Sequence, residues 1–275
     1  MSQLSSVYNQ AKTYLESYLD GLNLPESGKV ILEAEFKPYR RGKKPSSIDK
    51  PTGIYYKMLM SLMNKQGFPN FIGWDSVLGM ADILFNYDPV KVCETYGRNF
   101  DELFTKLKER FPNKTFDITN PKNAWVQYTR GIISIAKFLS SFTDYQEFDN
   151  FVESFSFNEH SVAALPMLLE KEIFGYGFAL SCDFLKESGY NSYGKPDVQL
   201  LDIFTGVGML TERNEFECFK TIVKIAREVG EPPVIVDKLF WIIGSGKFDE
   251  YHKSHQDRIP VKRLKDDFVK LFNER

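Results

Sequence analysis

Cysteine is scarce and scattered: Cys93, Cys182 and Cys218 are the three in 275 residues. An odd, widely spaced set argues against a disulfide framework and cannot form a four-cysteine zinc or iron–sulfur site. Histidine is no more abundant, with three. His252 and His255 lie close together on a polar tail. Two ligands do not make a metal site, so both read as solvated. Long apolar runs are missing as well. No stretch approaches the roughly 18 apolar residues of a spanning helix. Residues 1–22 lack the apolar core of a secretion signal. Net charge is nearly absent, −2 in total, which excludes a bulk polycation. Any nucleic-acid contact must come from local basic patches. These absences describe a soluble protein of a reducing compartment, with no membrane association.

What is present is apolar bulk with helical periodicity. Hydrophobic residues make up 43% and aromatics 15%, enough for one large core or two small ones. Alternating strand patterns are scarce and no repeat stands out, so the expected class is mostly all-α. Tyr8, Ala11, Tyr14, Leu15 and Leu19 share one helical face, and Gly21 stops it. Val30 to Phe36 is a short element, strand or helix. Residues 37–53, KPYRRGKKPSSIDKPTG, carry six cations against Asp49 and read as a basic loop. A solvated linker and a nucleic-acid contact fit that composition equally.

Further helices are expected over Ile54 to Met63, Trp74 to Phe85, Asp101 to Arg110, Trp125 to Phe142, Glu147 to Phe155 and Ala163 to Ile173. Later ones follow over Val198 to Phe204, Glu215 to Val229 and Val234 to Ile243, the last ending at Gly244. Asp88-Pro89 is a start signal, and Gly67 with Pro69 forces irregular backbone between two of these helices.

The chain is organised around Lys171 to Leu200. A helix end is followed by the turn Gly175-Tyr176-Gly177 and a second helix over about Phe178 to Ser188. Phe178, Cys182 and Leu185 share one face of that helix and dock it. Gly189 then opens a loop that delivers Asp197. Glycines let the backbone approach a ligand closely, and amides at a helix start face an anion. Asp197 is also a favoured N-cap for the helix beginning at Val198, and one side chain can serve as both cap and acid.

FGYGFALS followed by KPDVQL resembles the hairpin and acid phrase of the helix-hairpin-helix superfamily of base-excision DNA glycosylases, the endonuclease III-like group. The interval from Gly175 to Asp197 matches the family's spacing for these landmarks. Leu62-Met63-Asn64-Lys65-Gln66 is similar to the family's LLSAQ, and Phe240 to Lys247 to the apolar helix ending in glycine that follows the acid. The resemblance spans roughly residues 52–250. It has departures. Phe174 replaces the hairpin proline, Gln199 replaces the histidine after the acid, and Ala179 stands where the family's lyase lysine falls. The cysteine cluster of some members is absent.

The resemblance implies two helical lobes. Residues 52–190 would form a helical barrel ending in the hairpin. Residues 1–51 would pack with the carboxy-terminal lobe 191–275, which carries the acid. It implies double-stranded DNA with a damaged or modified base as partner, a monomer, and a cytoplasmic or nuclear location. Asp197 would stabilise the oxocarbenium-like transition state and activate water. Gly175, Tyr176, Gly177 and Phe178 would hold phosphate, assisted in the family by a monovalent cation (K+ or Na+) and no other cofactor. Gln66 would fill the gap left by a flipped base. Arg40, Arg41, Lys43, Lys44, Lys171 and Lys195 would add phosphate contacts. Tyr55, Tyr56, Trp125 and Tyr128 would line the base pocket, although aromatics at such spacing are more often core. The missing lysine points to hydrolysis without Schiff-base strand cleavage. The unusual amino-terminal segment suits a specialised substrate, one direction being modified phage DNA. Two other readings fit the residues: a non-catalytic hairpin DNA-binding protein, and a helical scaffold in which GYG is only a turn.

Overall fold

The structure is a computed structural model and describes residues 2–40, 51–255, 258–261 and 263–274. Among these, every regular element is a helix. The chain forms two compact units. One joins both ends, Met1–Lys43 with Gly189–Arg275, and the other is the intervening Lys44–Ser188.

The first unit begins with α1 (Gln3–Asp20) and α2 (Gly28–Arg40). The second contains α3 (Pro51–Leu62), α4 (Phe68–Phe71), α5 (Trp74–Leu78), α6 (Pro89–Tyr96), α7 (Phe100–Arg110), α8 (Ala124–Leu139), α9 (Tyr145–Ser154), α10 (Glu159–Glu172) and α11 (Phe178–Glu187). The first unit resumes with α12 (Val198–Gly206), α13 (Glu215–Val229), α14 (Pro233–Ser245), α15 (Asp249–Ser254) and α16 (Leu264–Asn273).

The core of the first unit is the apolar face of α1 and α2 against α12 to α14. Val7, Leu15, Ile31 and Phe36 are buried together with Phe204, Ile222, Leu239 and Phe240. Burial of such side chains stabilises by about 1.5–3 kcal/mol each. In the second unit α3 and α8 cross through a residue too small to keep them apart. A Cβ on Gly131 of α8 would come within 2.3 Å of Leu62 Cδ2.

Helix starts follow the caps written in the chain. The Asp88 side chain accepts from the Val90 and Lys91 amides at the head of α6. Asn158 and Ser161 form a reciprocal capping box, so α10 begins at Glu159, one turn before the apolar run that betrays it.

Three expectations need correction. Residues 37–40 are helical, because α2 runs through Pro38 to Arg40. The carbonyl that Pro38 cannot bond belongs to Ala34, whose exposure lets water satisfy it. The helix expected over Trp74 to Phe85 is only α5. The Tyr87 hydroxyl donates to the Val77 and Leu78 carbonyls at 2.6 and 3.2 Å, ending the ladder. Phe85, Asn86 and Tyr87 then take left-handed φ values of 51°, 55° and 62°, which no helix can contain. The third concerns α14, which passes through Gly244 and stops at Gly246 with φ 69°. Gly244 is a contact glycine: a Cβ there would meet Gln199 Cβ at 2.4 Å.

Candidate functional site

The hairpin belongs to the second unit. After α10 the Tyr176 amide donates back to the Ile173 carbonyl at 3.2 Å, and Gly175 takes φ 92°. A side chain there would be strained, and its Cβ would press on Leu62 Cδ1 at 3.1 Å. The buried Tyr176 ring turns inward, and its hydroxyl donates to the Met58 carbonyl of α3 at 2.9 Å. Gly177 is the N-cap of α11 and no side chain caps it. A Cβ at Gly177 would meet nothing within 4 Å. The Tyr176 amide is therefore spent inside the turn. Open space lies at Gly177, and the Phe178 ring is buried next to it.

Gln66 stands exposed on the turn after α3. The Phe68 amide donates to Lys65 O at 3.1 Å, and Gly67 supplies φ 90°, as a type II turn requires at that place. Two contacts tie this turn to the hairpin and α11. Asn64 Nδ2 donates to Asp183 Oδ2 at 3.1 Å, and Lys65 lies close to Gly175.

Lys65 and Arg130 are the residues that sequence reasoning missed. Lys65 Nζ donates to Gln127 Oε1 at 2.8 Å and stands 5.3 Å from the Phe68 ring and 5.8 Å from the Phe174 ring. Burial lowers its pKa from the usual lysine value. Arg130 lies over the other neighbour of this group, 5.5 Å from the Phe174 ring. Phe174, the departure from the hairpin proline, is 39% exposed and gathers both cations beside the turn. Nothing in the spacing of residues 65, 130 and 174 announces this cluster.

Asp197 belongs to the first unit. Its Oδ1 accepts from the Gln199 and Leu200 amides at 2.9 and 3.4 Å and caps α12. No hydrogen bond to its Oδ2 exists among the described residues. The delivering loop is fixed at several points. Asn191 Nδ2 donates to Tyr39 O at 2.6 Å, and the Lys195 amide donates to the buried Asp237 Oδ2 at 2.9 Å. Gly194 fits where a Cβ would touch Asp237 and Ile222 at 3.0 Å. Over Pro196, the Asp197 amide turns back to Lys195 O at 2.9 Å. Lys195 is half-buried. Gln199, in the family's histidine position, lies against Gly244 and accepts from Lys265 Nζ at 3.2 Å.

Other expected residues fall elsewhere. Tyr55, Trp125 and Tyr128 are core, with at most 1% exposure. The Tyr55 hydroxyl donates to Ile132 O and that of Tyr128 to Leu59 O, while Trp125 stacks between Phe111 and Phe116. Both hydroxyls are occupied, the Trp125 Nε1 is buried without a partner among the described residues, and all three rings are covered, so they present no wall to a ligand. Tyr56 is half-buried against Tyr87, edge to face at 5.0 Å. Arg40 is not open to phosphate. It pairs with Glu33 Oε2 at 2.5 Å and Glu231 Oε1 at 2.7 Å. Arg41, Lys43 and Lys44 lie outside the described residues. Lys171 is exposed. His252 and His255 are not simply solvated: the His255 ring stacks on Tyr251 at 3.9 Å, and His252 Nε2 accepts from the Ile259 amide at 3.3 Å. Among the described residues no three His, Cys, Asp or Glu side chains form a metal cluster.

Scanned against protein-family models and against curated proteins, the chain matches none. Its fold is helix-hairpin-helix glycosylase-like. A solved structure, Methanocaldococcus jannaschii 8-oxoguanine glycosylase/lyase in complex with a 15mer DNA containing 8-oxoguanine, matches it with a TM-score of 0.50. The match covers 86% of this chain and 98% of that one at 17% identity. At that identity the likeness is one of fold.

Proposed function

We propose that the chain is a DNA glycosylase that removes a damaged or modified base by hydrolysis and leaves an abasic site. The observation that carries this reading is the state of Asp197. One carboxylate oxygen is held by two amides of α12, and the other has no hydrogen-bond partner among the described residues. A carboxylate anchored on one side can face positive charge or a water with the other. Cleavage of a C–N glycosidic bond builds oxocarbenium character at the sugar carbon, which such a group stabilises while orienting the water that attacks. The water adds to that carbon, its proton passes to the acid, and the base departs with the bonding pair.

The hairpin would hold the strand. The Gly177 amide at the head of α11 would face a phosphate, with Lys65 and Arg130 adding positive potential. A monovalent cation would be held by main-chain oxygens of the same turn, where the space around Gly177 admits it. The cation would add charge for a phosphate to meet. Gln66, exposed on a turn tied to the hairpin, would occupy the gap left by a flipped base. Ala179 in place of an amine supports hydrolysis without lyase chemistry.

The competing reading is a hairpin protein that binds DNA without chemistry. It is favoured by the same two bonds at Asp197, which a plain N-cap also makes. The two readings separate on a panel of duplexes carrying damaged and modified bases, with abasic sites revealed by alkali. Asp197→Asn keeps the cap, since Asn serves as well there, and removes the charge. Base release by the wild type and its loss in Asp197→Asn is the expected result. Full activity in Asp197→Asn, or no release across the panel, overturns the proposal. Borohydride trapping of a covalent adduct would overturn the hydrolytic mechanism.

A further inference from the structure

A cavity of about 840 Å³ opens in the first unit, lined in part by Gly244 and Lys265, which also contact Gln199. Its floor is apolar, formed by the buried Ile243, Ile259 and Leu264. Its sides carry Lys247, Arg258 and Arg263, all exposed. Neither Lys247 nor Arg258 is ion-paired among the described residues. The lining acids do not cancel these charges. Asp249 is paired with Lys238 at 3.2 Å, and Asp266 stands 3.8 Å from Arg263 with both side chains mostly in water. Lys265 is engaged with Asp202 at 2.7 Å and holds the wall rather than reaching inward.

The cavity is built, not incidental. The fully buried Glu35 of α2 accepts from the Glu250 and Tyr251 amides at 2.9 and 3.0 Å, fixing the head of α15. From α15, His252 reaches to the Ile259 amide and sets the floor. At the rim Arg263 adopts φ 56°, a left-handed conformation costly for a side chain of its size. Such strain persists where the surroundings over-determine it, and it clusters at ligand sites.

We propose that this cavity binds a phosphorylated nucleoside unit, its phosphate on Lys247, Arg258 and Arg263 and its ring or sugar on the apolar floor. The volume lies within the range of small-molecule sites. The excess of unpaired cations selects a dianion or diester, and the buried floor rewards a flat apolar body over inorganic phosphate alone. Two sources share this chemistry: a nucleotide within a DNA strand, and a free nucleotide.

The full chain is titrated with dAMP and, separately, with a short undamaged fluorescent duplex, as wild type and as Lys247→Ala/Arg258→Ala. Affinity for at least one probe is expected to fall about tenfold, and for the duplex the slope of log affinity against log salt to become shallower by about 2. Loss for the duplex alone assigns the site to a strand, and loss for dAMP alone to a free nucleotide. Unchanged affinity for both overturns the proposal. Both side chains are exposed, so the fold is expected to persist, and thermal melting checks it. If the double variant unfolds early, protection of Lys247 by dAMP from an amine-acylating reagent decides in its place: protection supports the site and equal labelling overturns it. None of these readouts involves base release, so this proposal and the excision reading fail separately.

Discussion

The Tyr176 hydroxyl donates to the Met58 carbonyl, joining the middle of the hairpin to α3 at 2.9 Å. Burial pushes the Tyr176 pKa far above the working range, so the phenol stays neutral and the bond does not vary with physiological pH. Tyr176→Phe removes one buried hydrogen bond and is expected to cost about 1 kcal/mol. A fall of roughly 2–4 °C in melting temperature, measured by calorimetry, follows from that cost.

The two hairpin glycines should part company. Gly175→Ala forces a side chain into φ 92° and against Leu62, and a loss of about 1–3 kcal/mol is expected in urea unfolding. Gly177→Ala meets open space at an ordinary φ of −111° and should leave stability within about 0.5 kcal/mol of wild type. Its methyl group would nevertheless stand where a phosphate is proposed to approach. DNA affinity measured by anisotropy should therefore fall in Gly177→Ala while the fold holds.

Glu35 and Lys238 form an ion pair at 3.1 Å, with side-chain exposures of 0% and 5%. Removing Glu35 leaves Lys238 with Asp249 at 3.2 Å but takes the acceptor from the Glu250 and Tyr251 amides. Glu35→Ala is expected to cost about 2–4 kcal/mol. Glu35→Gln still accepts from the amides of α15 and should cost clearly less. Equal losses in the two variants, read from urea midpoints, would contradict this account.

Asp202 supplies a pH signature. Burial raises its pKa, but hydrogen bonds and charge from Lys265 and Arg213 outweigh that and hold it below the usual 3.8. A carboxyl with a depressed folded pKa contributes stability above its unfolded pKa and loses it as pH falls through the folded one. Wild type should exceed Asp202→Asn in stability by a constant margin above about pH 5, and the margin should shrink below about pH 4. A margin that persists at lower pH would refute the assignment.

Arg263→Gly relieves a left-handed side chain at φ 56°. Its melting temperature should equal or exceed that of wild type, whereas a glycine at an ordinary surface position lowers it. dAMP binding should weaken in the same variant.

The sequence makes local features legible and long-range ones opaque. Asp88-Pro89, Gly21 and the hairpin glycines act through neighbours, so their spacing announces caps and turns. The truncation of α5 depends on a hydroxyl nine and ten residues away, and no periodicity carries that. Arg40 looks like a phosphate ligand within its basic run, but its neutralising partner Glu231 lies on the other side of the second unit in sequence. Tyr55 and Tyr128 are equally suited to a wet pocket and to a core in which their hydroxyls find carbonyls. Which they occupy is decided by α8 crossing α3, a matter of packing. The cation cluster around Phe174 escapes for the same reason, since Lys65 and Arg130 converge only after folding.

The first unit is assembled from the two ends of the chain, and the second is continuous. During synthesis residues 44–188 can therefore fold as soon as they emerge, while α1 and α2 wait with an apolar face uncovered until α13 and α14 appear. At ~5–20 residues per second that wait lasts on the order of ten seconds or more. Changes that make the face of α1 and α2 stickier would act during that exposed interval and are expected to show first as lost yield rather than lost activity.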